Sequence, residues 1–337
     1  MNTAILGTGS YLPETVVTSA ELGRRIGVDE DWILRKTGIR ERRLAAPDEA
    51  TSDLAAYAAQ EALVSAGMTA ADLDLIIVAT STPDQPIPST ACFVQSALGA
   101  SRAAAFDVDA VCTGFMYAFV SAHAMLLAGQ GPQTALVIGA DTYSRILDYG
   151  DRRTSVLFGD GAGAVVLGKV ADGRGLLAST LGSEVGTTDL VRIPAGGSRR
   201  PASHATVESG GHYFAMEGRE VRNLAGAVLP DVANQVLKTA EIEIGDIDLV
   251  VPHQANGVML AELEESLSLK EGVMHKTVAR YGNTGAASVP VTLHDAILAG
   301  RITRDDLVLM VAFGGGMTWG GALMRWPQGG RILGRAA

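Results

Sequence analysis

Continuous apolar runs alternate with helical patterns along the chain. The apolar runs at 72–80 and 135–141 predict strands that are covered on both faces, since they lack a polar alternation. Apolar positions at helical spacing predict helices over 51–67 and 217–239. Strands that alternate with helices in this way indicate an α/β fold with largely parallel or mixed sheets.

The run from Ala105 to Cys112 stands out in this pattern. It predicts an extended segment that ends at Cys112, followed by a turn at Gly114 and an almost wholly apolar helix over 116–128. A cysteine at such a junction lies over the free N–H groups of the helix, which would favour the thiolate. An arbitrary cysteine, however, is more often a small buried core residue.

The second half of the chain repeats the first. The order of elements is kept, and the offset changes from 174 to 171 positions along the chain. The matched segments are 72–78 with 246–252, 112–114 with 283–285, 127–129 with 298–300, and 136–137 with 307–308. We therefore expect two related α/β units, over 1–170 and 171–337, each with its own sheet.

Composition narrows the classes of protein. With 337 residues, 47% hydrophobic and 19% charged, the chain is long enough for two units with substantial cores. The formal net charge of -10 argues against nucleic acid or an anionic membrane as a partner. Two cysteines, no membrane-length apolar run and no secretory leader predict a reduced, cytoplasmic protein.

Three polar residues stand at matching places of the repeat. Cys112 and Asn283 are aligned with each other, and His253 directly follows the repeated strand. Alone, the histidine is typical of a satisfied structural residue and the asparagine of a turn. Together they suggest nucleophilic chemistry on a thioester or another acyl group.

These motifs make the chain resemble the β-ketoacyl-acyl-carrier-protein synthase III family of the thiolase superfamily. The resemblance runs from Gly7 to Gly320. The segments that carry it are Asp31-Trp32-Ile33, Thr37-Gly38-Ile39-Arg40-Glu41-Arg42, the Cys112 turn, Phe158-Gly159-Asp160-Gly161-Ala162-Gly163, His253-Gln254-Ala255-Asn256, Gly282-Asn283-Thr284 and the Gly-rich stretch 313–320. It implies a thiolase-like fold, with two pseudo-repeated βαβαβαββ halves in a layered αβαβα arrangement.

The resemblance also implies a condensing acyltransferase. Cys112 would take an acyl group from a short acyl-CoA, and His253 and Asn283 would stabilise the enolate formed when a malonyl thioester loses CO2. Backbone N–H groups of Cys112 and Gly315 would form a second oxyanion hole. The product would be a 3-oxoacyl thioester, in fatty-acid or polyketide initiation, with no bound cofactor or metal.

The substrate contacts follow from the same resemblance. Residues implied for coenzyme A are Trp32, Lys36, Thr37, Arg40, Arg152, Gly218 and Asn256. Residues implied for the acyl pocket are Leu157, Phe158, Met216 and Ile87, the last at the place where a dimer partner closes the pocket. A homodimer with continuous sheets is expected.

One stretch departs from the family pattern. Val258 stands where an arginine is usual in the helix that docks an acidic carrier protein, and Glu262, Glu264 and Glu265 follow. Like charges disfavour an acidic partner. The acceptor is therefore open between a carrier protein, a CoA thioester and another molecule.

Two alternatives to the leading hypothesis remain. One is a specialised ketosynthase III-like enzyme of secondary metabolism, and the other is a non-catalytic homologue that acts as a subunit. A biosynthetic thiolase is disfavoured because the C-terminal Gly-rich turn has no second cysteine.

Overall fold

The computed structural model describes residues 2–129, 131–170 and 173–327. Its strands are β1 (Asn2–Tyr11), β2 (Thr15–Thr18), β3 (Glu41–Leu44), β4 (Leu75–Ala79), β5 (Ala104–Val108), β6 (Thr134–Asp141), β7 (Gly161–Val170), β8 (Gly175–Ser183), β9 (Val191–Arg192), β10 (Ala215–Met216), β11 (Leu249–Pro252), β12 (Leu307–Gly314) and β13 (Thr318–Arg325). Its helices are α1 (Ser19–Ile26), α2 (Glu30–Thr37), α3 (Thr51–Ala66), α4 (Thr90–Leu98), α5 (Gly114–Leu127), α6 (His204–Glu208), α7 (Gly218–Ala240), α8 (Gly257–Ser266), α9 (Val278–Tyr281) and α10 (Ser288–Leu298).

Two mixed sheets share one strand order. The first sheet runs β1-β7-β6-β4-β5 and the second runs β8-β13-β12-β11. Two pairings in each sheet are antiparallel: β1 with β7 and β7 with β6 in the first, and β8 with β13 and β13 with β12 in the second. At the opposite end of each sheet the strands are parallel, β4 with β5 and β12 with β11. The place of β5 is taken in the second sheet by a single parallel bridge between Val250 and Met274. The repeat seen in the sequence is therefore a repeat of sheet topology.

Alternate residues of the central strands belong to different cores. On β4, Leu75 and Ile77 face one hydrophobic cluster while Ile76 and Val78 face another. A strand sends successive side chains to opposite faces, so both faces of the sheet are covered. The same alternation on β12 divides its side chains between a shared inner core and an outer core with α7 and α8.

The shared inner core contains the two most apolar helices. Phe115 and Phe119 of α5 lie in one cluster with Val289 and Leu293 of α10, and strands of both sheets complete it. Helices α3 and α4 cover the outside of the first sheet, and α7 and α8 cover the outside of the second. The order of layers is therefore helices, sheet, helices, sheet, helices.

The structure corrects the predicted extended run at the nucleophile. Strand β5 ends at Val108, four residues before Cys112, and Cys112 lies in a 3₁₀ turn over Val111–Thr113 that leads into α5. The turn forms because the Asp109 carboxylate accepts a hydrogen bond from the Val111 N–H at 3.0 Å. A side chain that bonds the backbone two residues on competes with the strand ladder.

The structure also changes which residue of the second half corresponds to Cys112. The matching 3₁₀ turn is Gly285–Ala287, and α10 begins at Ser288, so Cys112 corresponds in position to Ala286 rather than to Asn283. The three-residue difference lies inside the helices, since α5 has 14 residues and α10 has 11. At the offset of the preceding strands, His253 corresponds to Ala79.

Candidate active site

The three residues that the sequence singled out line one cavity. Cys112 approaches it from the turn before α5, His253 from the end of β11, and Asn283 from the loop before α10. The cavity encloses about 610 Å³, including its open mouth. Its wall combines these polar groups with apolar side chains, which is the usual make-up of a small-molecule site.

The Cys112 turn is held in an uncommon backbone conformation. Val111, directly before the cysteine, has φ of +49°, in the left-handed region that β-branched residues rarely adopt. Such strain costs on the order of 1–3 kcal/mol and persists only when the surroundings enforce it. Here the Asp109 bond to Val111 and the packing of the turn against the Gly314–Gly315 loop enforce it.

Burial has the largest effect on the pKa of the Cys112 thiol. It raises the pKa to about 12, the negative charge of Asp141 adds to the effect, and a hydrogen bond from Tyr143 only partly offsets both. The expectation that the helix N-terminus yields a thiolate is therefore reversed, because desolvation of the charged form outweighs the helix field. The resting residue is a thiol.

His253 is a neutral imidazole. Its backbone N–H donates to the Val311 carbonyl at 2.8 Å, which ties the end of β11 to β12. The ring is almost fully buried, with Phe313 edge-on at 5.3 Å between centroids. Burial lowers the pKa of His253 to about 3, so the ring stays uncharged near neutral pH.

The Asn283 side chain is oriented by its own loop. Its Oδ1 accepts a hydrogen bond from the Gly285 N–H at 3.0 Å, and its backbone bonds Leu157 and Gly159 on both sides. Because the oxygen is occupied by a donor, the amide group left for the cavity is the NH2. Asn283 therefore offers donors to a ligand.

The Gly-rich turn after β12 packs directly on the Cys112 turn. A Cβ on Gly314 would lie 2.7 Å from the Thr113 nitrogen, and one on Gly315 would lie 3.0 Å from Val111 Cγ2. Only residues without a side chain allow this approach. The backbone of Gly315, which the resemblance implies for an oxyanion hole, thus lies on the cavity wall beside Cys112.

An aromatic cluster borders the cavity. Phe158 stacks on Tyr143 with centroids 4.3 Å apart, and Phe214 meets both rings edge-on. Leu157, Phe158 and Met216, implied for an acyl pocket, line the cavity. Ile87 does not line it within this chain; its side chain is 84% exposed.

The residues implied for coenzyme A divide into two groups. Gly218 and Asn256 line the cavity, and Asn256 also caps α8 by accepting from the Met259 N–H at 3.0 Å. Outside the cavity, the Arg152 guanidinium lies 5.8 Å from the centre of the half-buried Trp32 ring. This pair offers a flat face and a positive charge together.

The other three residues implied for coenzyme A lie at the end of α2. Lys36 and Arg40 are exposed, whereas Thr37 is buried and donates its hydroxyl to the Ile33 carbonyl at 2.8 Å. The α2 end packs on the start of α8, since a Cβ on Gly257 would lie 3.1 Å from the Thr37 carbonyl oxygen. Thr37 therefore places its neighbours rather than presenting its own hydroxyl.

Helix α8 carries the predicted apolar and acidic faces. Leu260, Leu263 and the following Leu267 are buried, and the glutamates point outward. Two of them are paired: Glu262 with Arg222 of α7, and Glu264 with Lys276. Arg222, a basic residue at the cavity wall, is therefore already neutralised within the chain.

Several residues in or near the site were not predicted from the sequence. Phe214 lines the cavity and packs on Tyr143, Ser288 bonds His253, and Asp141 accepts the Ala286 N–H at 2.7 Å. The signal for Asp141 was present, because it is a charged residue that ends a wholly apolar strand. The others have no local pattern that sets them apart.

Among the described residues, no group of three or more His, Cys, Asp or Glu side chains is placed to hold a metal ion. The described helices include none that combines the length and apolar character needed to cross a bilayer.

Two sheets of one topology, with a cysteine, a histidine and an asparagine in a cavity beside the inner helices, are the arrangement that the resemblance to thiolase-like condensing enzymes implies. Profiles described as 3-oxoacyl-[acyl-carrier-protein (ACP)] synthase III and its C-terminal part match residues 106–185 and 237–326. The chain belongs to the 3-oxoacyl-[acyl-carrier-protein] synthase III family, as its relatives also show.

The relatives include enzymes with different activities in their names. The chain is 52% identical to acetoacetyl CoA synthase NphT7 of Streptomyces sp. (strain CL190), covering 96% of this chain and 98% of that protein. It is 48% identical to the β-ketoacyl-[acyl-carrier-protein] synthase III of Symbiobacterium thermophilum, with the same two coverages. Among solved structures, the priming β-ketosynthase of the R1128 polyketide pathway matches with a TM-score of 0.90 at 32% identity, covering 97% of this chain and 96% of that one.

Proposed function

We propose that this protein catalyses the decarboxylative Claisen condensation of a short acyl-CoA with a malonyl thioester. The observation that carries the proposal is the convergence of Cys112, His253 and Asn283 in one cavity beside the Gly315 turn. The intact cavity also disfavours a purely non-catalytic subunit.

The first step is acyl transfer. The Cys112 sulfur attacks the acyl-CoA carbonyl, the C–S bond to coenzyme A breaks, and the thiol proton leaves with the coenzyme A thiolate. Backbone N–H groups of Cys112 and Gly315 would bind the oxyanion. Because the resting thiol has a high pKa, its proton has to leave as the new bond forms.

The second step breaks the malonyl C–CO2 bond. CO2 departs, and its bonding electron pair forms an enolate whose oxygen receives hydrogen bonds from His253 and Asn283. The carbanion then attacks the acyl-Cys112 carbonyl, the C–S bond to Cys112 breaks, and the sulfur takes a proton from solvent, which replaces the proton that left with coenzyme A. Neutral donors in a dry site stabilise this enolate without reorganising.

The aromatic cluster favours a short primer. Phe158 and Phe214 line the cavity together with Cys112, Tyr143 packs on both rings, and all three are more than nine-tenths buried, so they take up space beside the thiol. An acetyl group needs little of that space, whereas a longer chain would have to displace a ring. We therefore propose acetyl-CoA or a primer of similar size.

We further propose a CoA thioester as the preferred acceptor. Val258 stands where the family commonly has an arginine, so α8 lacks that positive charge. The ion pair with Glu262 also neutralises Arg222. An acidic carrier protein would meet little attraction there. The identity of 52% to an acetoacetyl CoA synthase supports this choice, because such a product is a 3-oxoacyl thioester of coenzyme A.

In the same proposal, coenzyme A lies between the end of α2 and the start of α8. The Trp32 and Arg152 pair would hold the adenine, and Lys36 and Arg40 would face phosphates. Gly218 and Asn256 would border the pantetheine arm, since both line the cavity.

Assembly follows the same reasoning. We propose that the protein is a cytoplasmic homodimer whose two subunits join along β5. Within each subunit, the two α/β units would divide near residue 171. Strand β5 is an edge of the first sheet, and its Phe106 and Val108 are only partly buried in the single chain. Ile87 would then reach the partner's acyl pocket. A monomer in light scattering at micromolar concentration would rule the dimer out.

A role in secondary metabolism is the second candidate. The identity of 32% to a polyketide priming ketosynthase, over 97% of this chain, supports it. The chemistry at Cys112 would be the same, and only the acceptor or the fate of the product would differ.

The test combines mass and turnover. Intact-mass spectra with a panel of acyl-CoAs should show an acyl adduct that is strongest for acetyl and absent from Cys112→Ser. Malonyl-CoA should then give acetoacetyl-CoA and CO2 faster than malonyl on a generic carrier protein gives its product. No adduct with any acyl-CoA would refute the function, and a strong preference for the carrier, weakened by salt, would refute the acceptor.

A further inference from the structure

Ser288 lies directly behind His253. It is the first residue of α10, only 1% exposed, and its hydroxyl oxygen lies 2.6 Å from His253 Nδ1. The ring nitrogen on the other side, Nε2, is the one left for the cavity that His253 lines. What Ser288 does with its proton therefore decides what His253 offers to a substrate.

The direction of this hydrogen bond follows from counting donors. The Ser288 oxygen accepts a hydrogen bond from the Gln254 N–H at 3.3 Å. A hydroxyl has one proton to donate and two lone pairs. The remaining lone pair would allow the oxygen to accept from an Nδ1–H as well, but the described contacts give the Ser288 proton no acceptor other than His253, so the hydroxyl donates to the Nδ1 lone pair at 2.6 Å.

We infer that Ser288 is a positioning residue that donates to His253 Nδ1 and so fixes the tautomer protonated on Nε2. In a neutral imidazole one nitrogen is a donor and the other an acceptor, so an accepting Nδ1 requires a donating Nε2–H. This inference rests on the proposed function, and it assigns His253 to enolate stabilisation rather than to abstraction of the Cys112 proton.

The neighbourhood supplies no competing partner for Nδ1 among the described contacts. Phe313 meets the ring edge-on, and the Gln254 side chain is engaged elsewhere, donating to the Pro252 carbonyl at 2.9 Å and accepting from the Thr277 N–H at 2.9 Å. Loss of the Ser288 hydroxyl should therefore let the ring adopt the other tautomer. That tautomer would point a lone pair at the enolate oxygen and repel it.

The first test reads the tautomer without any turnover. Long-range 1H–15N spectra of the full protein, labelled at histidine ring nitrogens, should show His253 protonated on Nε2 and unchanged between about pH 5.5 and 8.5. Assignment uses His253→Gln. A proton on Nδ1 in the wild-type protein would overturn the inference, whether or not the protein turns over malonyl-CoA.

The second test separates the two half-reactions. Ser288→Ala should slow malonyl-CoA decarboxylation about tenfold, the change expected for one ordinary hydrogen bond, and leave acyl loading of Cys112 within about twofold. Ser288→Thr should restore the rate. The matched control is Thr292→Val on the same helix, which removes a buried hydroxyl 2.7 Å from Thr277 Oγ1.

The outcomes distinguish two failures. A wild-type protein that neither loads nor decarboxylates would refute the proposed function and leave the tautomer measurable. Wild-type decarboxylation in Ser288→Ala, or an equal loss in loading, would overturn the positioning role. If Ser288→Ala does not fold, the wild-type spectrum still decides.

Discussion

The turns at 111–113 and 285–287 are the same structural device used in two ways. The first follows strand β5 and the second follows helix α9, each leads into an inner helix, and the two inner helices share one core. The first turn carries Cys112, whereas the second carries Ala286 at the matching position. Conversely, the first half has Ala79 where the second has His253.

The difference shows how a duplicated fold divides its chemistry. In the proposed mechanism the first half contributes the nucleophile and the second contributes the hydrogen-bond donors, so neither half would have a complete site. The small residues left behind are used for packing, since a Cβ on Gly114 would lie 3.2 Å from the Ala79 methyl and 3.7 Å from the Ala286 methyl. Predictions that alter one turn and not the other test this division.

The largest effect is expected at Cys112. Cys112→Ala should abolish acyl loading and reduce condensation by at least about a thousandfold, because no other group forms the acyl intermediate. Intact mass and product formation measure this. Cys92→Ala is the control and should load normally.

A cysteine at the matching place should not restore activity. In the Cys112→Ala background, Ala286→Cys should remain unloaded, because Ala286 is fully buried among the inner helices. An acyl adduct on the introduced cysteine of this double variant would show that the turn alone makes a nucleophile, and the division of labour would be wrong.

The next effect is expected at Asn283. Asn283→Asp keeps the oxygen that accepts from Gly285 and replaces the amide donor by a second oxygen. Decarboxylation should fall about a hundredfold or more, as when an oxyanion donor is removed, and loading should fall much less. Stopped assays of the two half-reactions measure this, with the exposed Asn223→Asp as the control. Equal losses in both steps would contradict the assignment.

A smaller effect, on stability, is expected at Asp141. This carboxylate accepts from the Ser81 N–H at 2.9 Å in the first half and from the Ala286 N–H at 2.7 Å in the second. Asp141→Asn places an NH2 against one of these donors and should lower the free energy of unfolding by about 1–3 kcal/mol at pH 7. Denaturant titration measures this, with the exposed Asp231→Asn expected within about 0.5 kcal/mol of wild type.

The difference in unfolding free energy between wild type and Asp141→Asn should change with pH in a defined direction. Burial raises the pKa of Asp141 from 3.8 to about 6, despite its hydrogen bonds. Between these values the folded state holds a proton that the unfolded state releases, so this contribution to stability is lost as pH rises through about 6. The gap between wild type and Asp141→Asn should therefore narrow from about pH 4 to about pH 6. A gap that widens over this range would contradict the raised pKa.

The smallest effect is expected away from both turns, on α8. Glu262→Gln should free Arg222 and raise turnover with a malonyl carrier protein by up to about fivefold at low salt, as expected for one exposed pair. Glu265→Gln removes the same charge from the same helix and is the control. A rise that is equal in both variants would assign the effect to net charge rather than to Arg222.

From the sequence alone one can predict the α/β class, the repeat, the apolar face of α8 and the three polar residues of the cavity. These follow from local patterns, because the period of apolar residues reports which face of a strand or helix is covered. The resemblance to the family added the chemistry at Cys112, His253 and Asn283, which remains a proposal about these residues.

The protonation states of those groups depend on the folded structure. The high pKa of Cys112 depends on its burial and on Asp141, and the tautomer of His253 depends on Ser288, 35 positions further along the chain. The true partner of Cys112 in the repeat, Ala286, was hidden because the length change lies inside α5 and α10. Protonation and register depend on groups brought together by folding, and no local pattern of apolar and polar residues records which groups those are.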